Sequence, residues 1–211
     1  MSSFGRLRSV SEADKPYHHG DLRSAVIDAA VAEVEAVGAA GVSLRKIARR
    51  AGVSHAAPMH HFGDKTGLFT AIATEGFRLS AEAIGQRTTG RFGFLDGGVA
   101  YVEWAITHPG YFEVMYRPGL YRTDDPHLVR AKDAAFDVLN GSAAALAAEW
   151  DLDDAAGLVL AGWSLGHGLA TLILAGNLNG RIDIEPDQIA ARLEQGVIAL
   201  GSVTAKRQRG A

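Results

Sequence analysis

Apolar side chains recur every three or four residues along most of this chain, the spacing that places them on one face of an α-helix. The pattern predicts a first helix that Asp21 caps and Gly38 ends, then a short second helix that Ser43 caps. Gly52 supplies a tight turn after the second helix, and Ser54 is placed to cap a third. Two short helices joined at a glycine turn predict a helix-turn-helix.

The same spacing continues through the rest of the chain. A longer helix from 65 to 86 follows the helix-turn-helix, and glycines from 90 to 98 interrupt the pattern. Further helices are predicted at 96–107, 110–116, 126–150, 155–178 and 186–203. We therefore predict an all-α fold, with an N-terminal three-helix helix-turn-helix domain and a larger helical C-terminal domain. The predicted boundaries are a flexible arm at 1–19, the helix-turn-helix domain at 20–66, the helical C-terminal domain at 67–205 and a basic tail at 206–211.

The stretch 155–178 carries no formal charge and is long enough to cross a membrane. Its glycines and polar residues, and the absence of a basic flank, argue against that interpretation. A helix apolar all round is also expected where one face packs on its own domain and another on a second subunit. We predict that helices 153–178 and 186–203 form a four-helix bundle across a dimer axis, where Gly162 and Gly166 allow two backbones to approach closely.

Composition and charge narrow the possible partners. The 211 residues are 47% apolar, enough for a substantial core, and contain no cysteine for a disulfide or a thiol nucleophile. Residues 43–65 hold five Lys or Arg against one Asp, about +4 in a chain of net charge −3, which indicates an anionic partner. Residues 1–80 carry +2 and residues 81–211 carry −5, so the C-terminal part should stay off DNA. The N-terminus lacks the apolar run of a signal peptide, and we expect a cytoplasmic protein.

The stretch AGVSHAAPMHHFGDKTGLF resembles the VSxxxxYxHFxxKxxLF signature of the TetR/AcrR family of transcriptional repressors. With the preceding YHHGDLRSAVIDAAVAEVEAVGAAGVSLRKIA, the resemblance spans about residues 17–72. Trp163, His167 and Gly168 are also similar to a branch of the family with a Trp, His, Gly signature in its C-terminal domain. The resemblance implies a DNA-binding regulator, with a DNA-binding domain at 20–66 and a ligand-binding and dimerisation domain at 67–205.

The predicted DNA contacts fall into two groups. Small or hydrogen-bonding side chains at the start of the third helix suit base edges in the major groove, and these are His55, Ala56, Ala57 and His60. The resemblance implies that Ser43, Arg45, Met59, His61 and Lys65 lie along the phosphate backbone. Met59 stands where most relatives have a phosphate-binding tyrosine, which removes one direct contact or replaces it with apolar packing. Pro58, which has no N–H, is expected near the fourth position of the helix and would make its start irregular.

Other interpretations of the same residues have to be weighed. At least two of the four basic residues of the second helix are expected to be a solvated face. Adjacent histidines at 18–19 and 60–61 point in different directions, and neither Cys nor HExxH accompanies them, so we predict no metal and no cofactor. No catalytic constellation stands out, which argues against an enzyme. A ligand-binding or interaction protein with a vestigial helix-turn-helix remains the alternative.

The sequence thus favours a ligand-responsive repressor that binds a palindromic operator as a homodimer and is released by a small apolar effector. Aromatic side chains and a methionine concentrate where a cavity would form, and the candidate walls are Trp104, Tyr111, Phe112, Met115 and Trp163. His167 is the polar group in the apolar run, with a structural hydrogen bond or a ligand contact as its two interpretations. The helix from 65 to 86 would act as the lever between cavity and DNA.

Overall fold

The computed structural model describes residues 19–182 and, beyond them, positions 188, 192, 193, 195–197 and 199. Within this part the chain forms helices and turns without a strand. The α-helices are α1 (His19–Gly41), α2 (Leu44–Arg50), α3 (Ala57–Phe62), α4 (Lys65–Gly85), α5 (Gly93–Thr107), α6 (Pro109–Met115), α7 (Pro126–Glu149) and α8 (Ala155–Leu174), with a 3-10 turn at Pro118–Leu120. The expected N-terminal arm up to residue 18, the basic tail and most of the predicted helix 186–203 lie outside the described residues.

The first three helices pack around a shared apolar core. Val26, Ala30 and Val34 from α1 are buried together with Ile47 of α2 and Phe62 of α3. The predicted start of α1 is corrected, because the helix begins at His19, before the expected cap at Asp21. Gly38 breaks α1 as predicted, since its φ of 72° and ψ of 157° are not helical.

The predicted caps of α2 and α3 also need correction. Ser43 precedes α2 with an extended backbone, but its side chain makes no capping bond. The third helix begins at Ala57 rather than next to Ser54, because a turn in which the Ala57 N–H donates to the Ser54 carbonyl at 3.0 Å comes first. Pro58 therefore lies in the first turn of α3, where a missing N–H breaks no helical hydrogen bond. Gly52 has the expected left-handed backbone, with φ 68°.

α4 joins the helix-turn-helix to the rest of the molecule. Asp64 caps it by accepting a 2.6 Å hydrogen bond from the Gly67 N–H, directly after α3 ends. The helix then packs along α5, α6 and α7, while α8 lies against α5 and α7. α6 is held between α1 and α4. The second half is thus a helical bundle attached to the helix-turn-helix through α4 and through the contact of α6 with α1.

Gly162 and Gly166 of α8 face their own chain rather than a second subunit, which corrects their predicted role. A Cβ on Gly162 would lie 2.5 Å from the Phe94 ring of α5, and one on Gly166 would lie 3.4 Å from the Tyr101 ring. They allow α8 to lie close to α5. Other apolar side chains of α8 remain exposed, including Leu160 at 70%, Leu165 and Leu172.

Candidate functional site

The exposed surface of α3 and the turn before it carries most of the residues predicted to meet base edges. His55, Ala56 and His60 are exposed. Ala57 is only 9% exposed, because it packs into the three-helix core at the start of α3. Three of the four predicted positions are therefore accessible to a groove, and the side chain of Ala57 is turned inward.

The residues predicted to meet phosphates surround that surface. Arg45 and Met59 are exposed, the latter at 52%, while Ser43 and His61 are half-buried. Lys65 is half-buried at the start of α4, where its Nζ donates to the Ala40 carbonyl at 3.4 Å. Contact with DNA stays a prediction at each of these positions.

A buried carboxylate holds two of the basic residues of α2. Glu33 on α1 is 7% exposed, and its oxygens lie 3.6 Å from Lys46 Nζ and 3.7 Å from an Arg50 guanidinium nitrogen. These two side chains fix α2 against α1, which leaves Arg45 and Arg49 as the exposed cations of α2 without an ion pair among the described residues. Two of the four basic residues of α2 thus pair with Glu33 of α1, and the other two remain available to an anionic partner.

The second half of the molecule contains a cavity of about 1150 Å³. Most of its wall is apolar and comes from α4, α5, α7 and α8 together with the end of α6. Met115 and Trp163, two of the candidate wall residues, line it. Aromatic side chains that the sequence prediction did not select supply much of the remaining wall: Phe77, Phe92, Phe94, Tyr101, Tyr116, Tyr121, Phe136 and Trp150.

Three of the five predicted wall residues, and His167 with them, lie behind the wall. Trp104 is buried and stacks on the His108 ring at 5.0 Å between centroids. Tyr111 and Phe112 are buried in the main core, and burial raises the pKa of Tyr111 to about 12. His167 contacts the cavity residue Tyr101 through a 2.8 Å hydrogen bond between Nδ1 and the phenol. Helical spacing showed that these side chains are apolar or enclosed, but not which of them border empty space.

Several contacts tie the cavity wall to the helix-turn-helix. On α6, Glu113 accepts a 3.0 Å hydrogen bond from the Ala39 N–H, just after the break in α1. At the other end of α6, the Gly110 N–H donates to Glu35 of α1 at 3.3 Å. These bonds fix one wall element against the helix that supports α2 and α3.

A second link passes through the loop after α6. Tyr121 lines the cavity, and its hydroxyl donates to the Met115 carbonyl at 2.7 Å. The next residue, Arg122, pairs with Asp64 at 2.7 Å, and its backbone N–H donates to Thr70 at 3.1 Å. Asp64 caps α4 two residues after α3 ends, so these contacts connect the cavity wall to the end of α3.

Comparison with known proteins agrees with this architecture. Residues 26–72 match the model of bacterial regulatory proteins of the tetR family, and residues 94–197 match the tetracyclin repressor-like C-terminal domain. No curated protein is similar enough in sequence to count as a match.

Solved structures with the same fold include proteins from two bacterial genera. A protein of unknown function from Rhodococcus sp. RHA1 is 32% identical, with a TM-score of 0.71 over 86% of this chain and 96% of that one. A regulatory protein in the tetR family from Rhodococcus RHA1 is 23% identical, with a TM-score of 0.65 over 82% and 94% of the two chains. NalD from Pseudomonas aeruginosa, the secondary repressor of the MexAB-OprM multidrug efflux pump, is 21% identical, with a TM-score of 0.59 over 85% and 95%. The two matched domains, in this order and on this fold, show that the chain belongs to the TetR family of bacterial transcriptional regulators.

Proposed function

We propose that this regulator is a repressor that binds a palindromic operator as a homodimer and leaves it when a small apolar molecule enters the cavity. The observation that carries the proposal is the 1150 Å³ cavity, whose wall continues into contacts with the helix-turn-helix. A cavity of that size and apolar character suits a drug-sized ligand. NalD supports repression by analogy, because it has the same fold and is itself a repressor.

The exposed apolar face of α8 supports a dimer. Leu160, Leu165 and Leu172 are each more than 40% exposed, on a helix that satisfies the length and composition of a membrane span. In a chain that also carries a DNA-binding domain, a second copy is the better partner for this face. One helix-turn-helix buries too little surface for tight specific binding, and a two-fold dimer reads two half-sites about one helical turn of DNA apart.

We assign the predicted segments accordingly. Residues 20–66 are the DNA-binding domain, in which His55, Ala56 and His60 meet bases. The residues that flank the phosphates are Ser43, Arg45, Met59, His61 and Lys65. Residues 67–205 hold the effector and the dimer interface. This division is supported by the positive charge of 43–65 and by the acidic balance after residue 80.

Release follows from linkage between the two sites. The effector binds best to the conformation of the dimer in which the two α3 helices are wrongly spaced for DNA, and it therefore lowers the affinity for the operator. By linkage, the operator lowers the affinity for the effector by the same factor. In our mechanism two connections link the cavity to the DNA-binding surface. α4 begins just after α3 and lines the cavity, and the Arg122–Asp64 ion pair joins the loop beside the cavity to the cap of α4.

The test is to find an operator and titrate it. Fragmented DNA from the organism's own genome is incubated with the protein, and the retained fragments are sequenced. We expect an inverted repeat, bound with an affinity that falls steeply with salt. A protein with a vestigial helix-turn-helix would instead retain no sequence preferentially, and that result would leave the alternative of a ligand-binding or interaction protein.

A further inference from the structure

Two phenols interrupt the apolar wall of the cavity, and a histidine behind the wall is hydrogen-bonded to one of them. The hydroxyls of Tyr101 and Tyr116 lie 3.0 Å apart, and His167 Nδ1 lies 2.8 Å from the Tyr101 oxygen. Trp163 borders the cavity beside them. Burial raises the pKa of both phenols. We call these four residues the phenol cluster.

The other hydroxyls in the wall are already committed to the protein. Each donates to a backbone carbonyl at 2.7 to 3.0 Å, and these residues are Ser80, Thr88, Tyr121 and Ser142. The charged residues of the lining, Asp96, Lys132 and Asp133, are all exposed. The phenol cluster is therefore the place in the described wall where a buried ligand finds an available polar partner.

The number of hydroxyl and ring protons in the phenol cluster determines which hydrogen bonds it can make to a ligand. Tyr101 has one hydroxyl proton but two hydrogen-bonding neighbours, Tyr116 and His167. If Tyr101 donates to Tyr116, then His167 donates from Nδ1 and the Tyr116 proton is free for a ligand acceptor. If Tyr101 donates to His167, then Tyr116 donates to Tyr101 and offers an oxygen lone pair to a ligand donor. The tautomer of a neutral His167 thus decides whether the Tyr116 hydroxyl donates a hydrogen bond to the ligand or accepts one from it.

A neutral cluster in an apolar wall disfavours a charged ligand. Burial lowers the pKa of His167, so the ring is uncharged at neutral pH and supplies no counter-ion. An ion that is buried without a partner loses all of its hydration free energy and gains nothing in return. A neutral oxygen loses much less hydration free energy and regains one hydrogen bond from the protein.

We propose that the effector is an uncharged, largely hydrocarbon molecule with one hydroxyl or carbonyl oxygen, which hydrogen-bonds the Tyr116 hydroxyl. This rests on the proposed function, because it names the ligand of the same cavity. The proposal also places Trp163 and His167, two residues of the Trp, His, Gly signature, beside the Tyr116 hydroxyl that would bind the ligand.

Four fluorescent probes of similar shape test the assignment without DNA: pyrene, 1-pyrenemethanol, 1-pyrenecarboxylate and 1-pyrenemethylammonium. Each is titrated into the full-length protein, and its Kd is measured by fluorescence. We expect 1-pyrenemethanol to bind most tightly. Tyr116→Phe should raise its Kd about fivefold, as for one net hydrogen bond, and leave the Kd of pyrene unchanged.

Tyr121→Phe is the matched control. It removes a hydroxyl from the same wall, but that hydroxyl is bonded to the Met115 carbonyl, so the preference for 1-pyrenemethanol over pyrene should persist. Equal binding of pyrene and 1-pyrenemethanol, tighter binding of either charged probe, or no binding of any probe would overturn the assignment. A probe that binds as expected but leaves operator affinity unchanged would contradict the release mechanism alone.

Discussion

The hydrogen bond between Glu113 and the broken end of α1 gives a prediction with a calculable size. Glu113→Ala removes the acceptor of the Ala39 N–H, which the break at Gly38 leaves outside the normal helical pattern. A hydrogen bond to a charged group contributes roughly 1.5–3 kcal/mol to stability. The Glu113 side chain is 24% exposed, so water replaces part of this bond and we expect a loss near the lower limit, about 1.5 kcal/mol. For a chain of this length that lowers Tm by roughly 3–6 °C.

Glu113→Gln separates this bond from the ion pair with Arg117. The amide oxygen still accepts from Ala39, while the 2.8 Å pair with the exposed Arg117 is lost, at a cost below about 1 kcal/mol. The Tm measured by circular dichroism should therefore be highest for the wild type, lower for Glu113→Gln and lowest for Glu113→Ala. Operator affinity should also fall in the Ala variant more than in Gln, because α1 positions α2 and α3. Equal Tm values for Ala and Gln would refute the role given to the Ala39 bond.

Four other substitutions, one of them with a matched control, test the DNA surface, the assembly and the packing of α8 on α5. Lys65→Ala should weaken binding to all DNA sequences alike and reduce the salt slope by about one unit, measured by anisotropy at several salt concentrations. His60→Ala should change base preference in selection from a random pool more than it changes overall affinity, and an unchanged selected sequence would remove His60 from the base contacts. Leu160→Glu should convert the dimer to a monomer in light scattering, whereas a monomeric wild type at micromolar concentration would remove the interface itself. Gly162→Ala should cost about 1–3 kcal/mol, because its Cβ would overlap a phenylalanine ring of α5, while Gly168→Ala, which has open space, should not show this loss.

The helix-turn-helix could be predicted from sequence because its signals are local. Gly52 marks the turn through its own backbone preference, and the apolar spacing before it places Ile47 in the core. The start of α3 was misplaced because Ser54 is a good capping residue by type, yet the tertiary packing of Ala57 and Pro58 sets where the helix begins.

The cavity could be anticipated in outline but not in detail. Helical spacing identifies an enclosed face, whereas empty space depends on how five helices meet, so Phe112 proved to be core and Phe136 proved to be wall. The glycines of α8 illustrate the same limit. Spacing showed that something approaches Gly162 closely, and only the packed structure shows that it is Phe94 of the same chain.

The central claim is that one molecule couples an apolar effector in the cavity to release of operator DNA, and reciprocal titration tests it most directly. The affinity for a genome-selected operator is measured with and without saturating 1-pyrenemethanol, and the affinity for 1-pyrenemethanol with and without saturating operator. The account predicts that both affinities fall, and by the same factor, as linkage requires. Tight binding of the probe together with unchanged operator affinity would contradict it.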